Sequence, residues 1–109
     1  MNAQVSILHD DYPSSVKDSV REMVEDRLQG LDRFFDRTKS VRALLERERA
    51  SHRVEIVCNV GRGSVLVADV RGDRLNPTVD EAIQRMTVQL KRHHDKLTRE
   101  RRRGGRIGH

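Results

Sequence analysis

The sequence contains no tryptophan, one tyrosine (Tyr12) and two phenylalanines (Phe34, Phe35) in 109 residues. That scarcity leaves Val, Leu, Ile and Met to fill the core. It also excludes an aromatic platform of the kind on which single-stranded bases stack. A single cysteine, Cys58, rules out an intrachain disulfide and points to a reducing, cytoplasmic setting. No apolar run approaches the ~18–20 residues that cross a bilayer. Met1-Asn2-Ala3-Gln4 has neither the basic nor the apolar segment of a secretory signal, so no membrane association is expected. No nucleophile stands beside a credible base, and Gly61-Arg62-Gly63 is too short for a phosphate-cradling loop. The chain is therefore expected to be neither an enzyme nor a carrier of a cofactor or metal.

What is abundant is charge, at 36% of residues, with 22 Lys and Arg against 17 Asp and Glu, a formal net charge of +5. The excess is local. Residues 1–84 hold 13 basic and 15 acidic side chains, whereas residues 85–109 hold 9 basic and 2 acidic. A slightly acidic body with a basic C-terminal quarter implies an anionic partner met by one element of the fold.

Val5, Ile7 and His9 alternate with polar neighbours until Tyr12-Pro13, which predicts a short first strand. From Ser14 to Phe35 the period becomes helical: Val16, Val20, Met23, Val24, Leu28, Leu31 and Phe34/Phe35 share a stripe, with Ser14 or Ser15 as N-cap. Its outer side, with Asp18, Glu22, Glu25, Asp26 and Asp32, is acidic. Three strands are predicted next, over 41–46, 54–60 and 64–71, facing Val41, Ala43, Leu45, Val54, Ile56, Cys58, Val60, Leu66, Ala68 and Val70 inward. Polar residues 46–53 suggest a long hairpin loop, and Gly61-Arg62-Gly63 a tight turn. Asn76-Pro77 predicts the start of a second helix, with Asp80 and Glu81 in its first turn. Its apolar stripe is Val79, Ala82, Ile83, Met86, Leu90, His93 and Leu97.

The order β-α-β-β-β-α allows one right-handed parallel crossover followed by an antiparallel meander. The expected fold is α+β, a two-layer sandwich of a four-stranded sheet with both helices side by side on one face. Residues 1–100 form the single domain in this reading, and 101–109 a basic, flexible tail.

At 100° per residue, Arg85, Arg92, Lys96, Arg99 and Arg103 fall within about 40° of one line that flanks the apolar stripe. A solvated basic face is the plain alternative. Arginine outnumbers lysine four to one on this line, few carboxylates lie beside it after Arg85, and the guanidinium is the better phosphate fork. Binding is expected to follow phosphate positions and nucleic-acid shape.

The β-α-β-β-β-α order, with Val24, Arg27, Leu28 and Leu31-Asp32-Arg33-Phe34-Phe35-Asp36-Arg37 in the first helix, resembles a known family. The second helix adds Val79-Asp80, Ile83, Arg85-Met86, Gln89-Leu90, Arg92, Asp95 and Lys96-Leu97. The family is that of ribosome hibernation-promoting factors and ribosome-associated translation inhibitors, also called sigma-54 modulation proteins, in its short form, and the resemblance covers roughly residues 4–100. It implies binding to the small ribosomal subunit and its ribosomal RNA, in the channel used by messenger and transfer RNA, which blocks translation in stressed or stationary cells. The RNA contacts it implies are Arg85, Gln89, Arg92 and Lys96, with Arg27 on the first helix; Arg99 and Arg103 extend the line. The chain departs from the family at Asn76 (usually Tyr), Val88 (usually Arg) and Arg74 (usually Asp). The alternative function is a structured-RNA or DNA-binding module of similar fold without ribosome specificity.

Other features have modest readings. Adjacent His93 and His94 point about 100° apart on a helix, so His93 reads as a packed histidine rather than a metal ligand. Cys58 reads as core filler, and Asp10-Asp11 as an acidic loop. The strand alternation places Leu8, Leu44, Val57, Val65 and Val67 on the sheet face away from the helices, where a contiguous patch would support weak self-association or a protein contact.

Overall fold

A computed structural model describes residues 2–7, 14–33, 40–61 and 63–107, with side chains described within 17–31, 40–61, 63–96 and 98–99. The elements are β1 (Asn2–Ile7), α1 (Ser14–Gln29) followed by a 3₁₀ turn (Gly30–Arg33), β2 (Ser40–Glu48), β3 (Ser51–Gly61), β4 (Ser64–Gly72) and α2 (Leu75–Ile107). The architecture is α+β. β2, β3 and β4 form an antiparallel meander, and β1 joins β2 in parallel, giving the sheet order β1-β2-β3-β4. α1 packs over β1 and β2, α2 over β3 and β4, and the helices touch each other.

Alternation decides which strand residues meet the helices. Val41, Ala43, Leu45, Val54, Ile56, Cys58, Val60, Ala68 and Val70 are buried on the helix side, with Leu66 packed against them. Val20, Val24 and Leu28 descend from α1, Leu31 from the 3₁₀ turn after it, and Val79, Ala82, Met86 and Leu90 from α2, to close the layer. Burial of these aliphatic groups drives the fold. Leu90 is the last fully buried described residue of a helix that continues to Ile107.

Several boundaries differ from the sequence expectation. The first helix stops at Gln29 instead of Phe35, because Gly30 is a poor helix former and the chain tightens there into the 3₁₀ turn, still burying Leu31. The expected loop over 46–53 is strand almost throughout: Glu46 pairs with Arg53, Arg47 with His52 and Glu48 with Ser51, leaving a turn at Arg49 and Ala50. Polarity there belongs to a paired strand end, where Glu46 and Arg53 form an ion pair across the strands, and not to a solvated loop. Arg49 takes the left-handed conformation at φ 53°, and Ser51 Oγ donates to the Glu48 carbonyl at 3.1 Å. The Gly61–Gly63 turn has φ of 87° and 74° at its two glycines, and Asn59 Oδ1 accepts from the Gly61 amide.

α2 begins at Leu75, a residue before the expected Asn76 cap. The Arg74 carbonyl accepts both the Thr78 amide and its hydroxyl, so Arg74 holds the cap position and Asp80 and Glu81 fall beyond the first turn. Pro77 remains within that turn, where its missing N–H costs nothing. Thr78 is buried, and a Cβ on Gly72 would overlap its hydroxyl, so glycine permits the close β4–α2 junction. At the other end, residues 101–107, expected as a tail, continue the helix. Arg101, Arg102 and Arg103 favour a helix, and its continuation across Gly104 and Gly105, both poor helix formers, has no structural explanation. His9, Leu8, Asp10, Asp11, Phe34 and Phe35 lie outside the described residues.

Candidate nucleic-acid interface

The apolar stripe of α2 is fixed against β3 and β4, and that fixes where its other flanks point. Gln89 sits at the margin of the seam and reaches round the open edge of β4, donating through Nε2 to the Val67 carbonyl at 2.7 Å. The flank carrying Arg85, Arg92, Lys96 and Arg99 is therefore the one beside β4, and all four side chains are exposed. Asp80, about 140° around the helix from Arg85, lies on the opposite flank and pairs with Arg27 of α1.

The structure thus brings Arg85, Arg92, Lys96 and Arg99 together and leaves Arg27 apart, across the helix from them and neutralised by Asp80. Arg103 occupies the same line on the helix backbone, and its side chain lies outside the described residues. Gln89 is beside the line but is committed to the sheet edge, where it satisfies an otherwise open strand carbonyl. Arg85 pairs with Glu81 one turn earlier at 3.1 Å, with both side chains at least half exposed. Such a pair is worth little in water and yields to a phosphate. No carboxylate among the described residues pairs with Arg92, Lys96 or Arg99.

A shallow groove of about 450 Å³ runs along this flank, lined by Glu81, Gln84, Arg85, Val88, Gln89 and Arg92. Val88, 42% exposed, forms an apolar step between the two arginines. The sequence marked Val88 only as a departure from a pattern and did not single out Gln84. The i,i+4 spacing of Glu81 and Arg85 was the available signal for their pairing. A larger groove of about 650 Å³ lies on α1, but Glu22, Glu25 and Asp26 line it with Arg27, which makes it a poor seat for phosphate.

The far face of the sheet is occupied differently. Arg53 binds Asp69 through Nε and Nη2, at 3.1 and 2.8 Å, and also contacts Glu55 at 3.2 Å and Glu46 at 3.4 Å. The carboxylates hold its guanidinium charged, and Arg53 in turn keeps the Asp69 carboxyl below the usual carboxylate range. One guanidinium among three carboxylates leaves this cluster net acidic, which makes it a poor surface for RNA. Beside them Val57 and Val67 are paired across β3 and β4, with Val65 and Leu44 as neighbours; Val65 and Val67 are exposed and Leu44 and Val57 half-buried. Leu8 lies outside the described residues.

The remaining candidates are accounted for by packing. Cys58 is fully buried and burial pushes its thiol up to about 12, so it is an inert core residue. Among the described residues no group of His, Cys, Asp and Glu is arranged to hold a metal ion. His93 is half-buried and His94 exposed, as their rotation around the helix requires. Among the described residues no helix is long and apolar enough to cross a membrane.

Residues 14–98 match the family described as Sigma 54 modulation protein / S30EA ribosomal protein. The chain is 30% identical over 91 residues to the ribosome hibernation promoting factor of Azotobacter vinelandii, covering 84% of this chain and 83% of that protein. It is 28% identical over 82 residues to that of Escherichia coli strain K12, covering 75% and 85%. Its fold is similar to the Thermus thermophilus Protein Y N-terminal domain (TM-score 0.69, 23% identity, 85% of this chain and 99% of that one). It is also similar to a ribosomal subunit interface protein from Coxiella burnetii (TM-score 0.68, 18% identity, 87% and 99%). The two structures establish the fold, and the extent of the family match establishes descent: the chain belongs to the Sigma 54 modulation protein / S30EA ribosomal protein family.

Proposed function

We propose that this protein is a cytoplasmic, ribosome-associated hibernation factor. It lays the exposed flank of α2 on the RNA of the small ribosomal subunit and occludes the channel used by messenger and transfer RNA. The observation that carries this is the line of exposed cations at Arg92, Lys96 and Arg99, continued by Arg85, on the flank of a helix whose seam is fixed in the core as far as Leu90. Cations aligned on one rigid element repel each other in isolation and are relieved by a polyanion, so the charge that costs the free protein stabilises the complex. Inhibition is steric, with no covalent chemistry. Arg27 has a secondary role at most, since it is already paired with Asp80.

The test is inhibition of cell-free translation by the wild type and by a variant with Arg85→Gln, Arg92→Gln and Lys96→Gln. Loss of inhibition with an unchanged melting temperature supports the proposal. Full inhibition by the folded triple variant contradicts it. The exposed Val65 and Val67, paired with the neighbouring strand through Val57, support a second and weaker contact, self-association through the open sheet face. A strict monomer in sedimentation at high concentration refutes that contact alone.

A further inference from the structure

We propose that the end of α2, residues 99–107, is a second RNA-binding element that enters a groove of folded RNA and is held by phosphates on more than one side. The inference rests on the RNA-binding reading above and concerns a part of the chain that the family match, ending at residue 98, does not cover. A 33-residue helix is about 50 Å long, but its fully buried residues end at Leu90, and from His94 onward every described side chain is exposed. The molecule measures 61 × 22 × 20 Å. Its radius of gyration is 16.2 Å, whereas a compact chain of this length has about 13 Å. The helix end is an arm that projects from the body.

The arm's charge is distributed unlike that of the flank. Residues 99–107 include Arg99, Arg101, Arg102, Arg103 and Arg106 against Glu100 alone. Arg99 and Arg103 continue the line of Arg85 and Arg92. Arg101 stands about 160° around the helix from Arg103, and Arg102 about 100°. Arg101 falls within about 20° of the position of Leu90, so an arginine occupies the continuation of the buried seam. The arm's sequence therefore supplies no apolar stripe with which to fold back on the sheet, and its cationic positions are spread around the helix axis.

The chemistry selects among polyanions. Residues 98–107 contain one large apolar residue, Ile107, which is too little for a helix to lie in a lipid surface. There is no aromatic residue to stack on unpaired bases. Every cation of the arm is arginine, the fork suited to phosphate oxygens. A projecting helix with cations on several sides fits between the phosphate walls of folded RNA better than it fits a flat surface.

The experiment uses the full-length chain carrying Arg101→Gln, Arg102→Gln and Arg106→Gln, which removes cations off the Arg85–Arg103 line and keeps residues of similar helix propensity. Binding to an RNA hairpin with an internal bulge is measured across a salt series, with polyuridylate and polyglutamate as comparison ligands. The variant is expected to melt at the wild-type temperature. Three lost phosphate contacts are expected to lower the salt slope by about 2–3 and to weaken hairpin binding about tenfold near physiological salt, with a smaller effect on polyuridylate. An unchanged slope and affinity for the hairpin overturns the proposal, as does an equal loss against polyglutamate. The ribosomal reading is measured separately, through the Arg85, Arg92 and Lys96 variant, so either can fail while the other stands.

Discussion

Replacing Arg53 with glutamine removes the cation that three neighbouring carboxylates share. Glu55 and Asp69 are directly opposite each other on β3 and β4, and Glu46 is opposite Arg53 itself on β2. Like charges at such positions are destabilising, and Arg53, 25% exposed, bridges all three carboxylates. Asp69 is 42% exposed, so its bidentate contact is discounted for solvent to about 0.5–1 kcal/mol. The less exposed Glu46 and Glu55 add comparable amounts through lost pairing and new repulsion. Together these give about 1.5–2.5 kcal/mol, equivalent to a fall in melting temperature of roughly 10 °C for a domain of this size. The effect should depend on pH with a definite sign. Arg53 depresses the folded Asp69 carboxyl below its unfolded value, so the stability it confers is present above about pH 4 and is lost as pH falls through the folded value. Thermal or urea melts of the wild type and Arg53→Gln, at pH 7 and pH 3, read both terms. Arg71→Gln, whose contact with Glu48 is 3.8 Å long and exposed and whose pull on Asp69 is weaker than that of Arg53, should cost less and change the pH dependence less. A destabilisation by Arg53→Gln below about 0.5 kcal/mol at pH 7, or one that does not shrink at pH 3, refutes the reasoning.

Gly72→Ala is expected to cost about 1–3 kcal/mol by overpacking, since the added methyl meets the Thr78 hydroxyl. Combining it with Thr78→Ala should recover part of that loss, and a double-mutant cycle in urea measures the coupling. Arg49→Gly should raise stability by about 0.5–1 kcal/mol, because it removes a side chain from a left-handed turn position; a lower melting temperature contradicts the strain argument. Val88→Arg places a further cation on the exposed step between Arg85 and Arg92. It should steepen the salt dependence of RNA binding by about 0.7–0.9; an unchanged slope means that the groove does not face phosphate.

The core was legible because its periods are clean. Val54, Ile56, Cys58 and Val60 alternate, and Val79, Ala82, Met86 and Leu90 recur at helical spacing, so inward faces follow from the pattern alone. The hairpin at 46–53 was hidden because its residues are polar, and polarity by itself does not separate a paired strand end from a loop. The line of cations on α2 was legible for the same reason as its seam. Its surroundings were not. That Gln89 ties down the β4 edge depends on which strand ends the sheet. That Arg27 sits across α2 from the line depends on how α1 packs beside it. Both are consequences of tertiary arrangement that one-dimensional periodicity does not contain.

The central claim is that the exposed flank of α2 recognises the small ribosomal subunit and not RNA charge in general. Co-sedimentation of the full chain with purified 30S subunits, in competition with an excess of unstructured RNA at physiological salt, tests it most directly. The account predicts that the protein pellets with the subunits despite the competitor and is released as salt rises. Equal partition onto the unstructured RNA would contradict it and leave a generic RNA-binding module in its place.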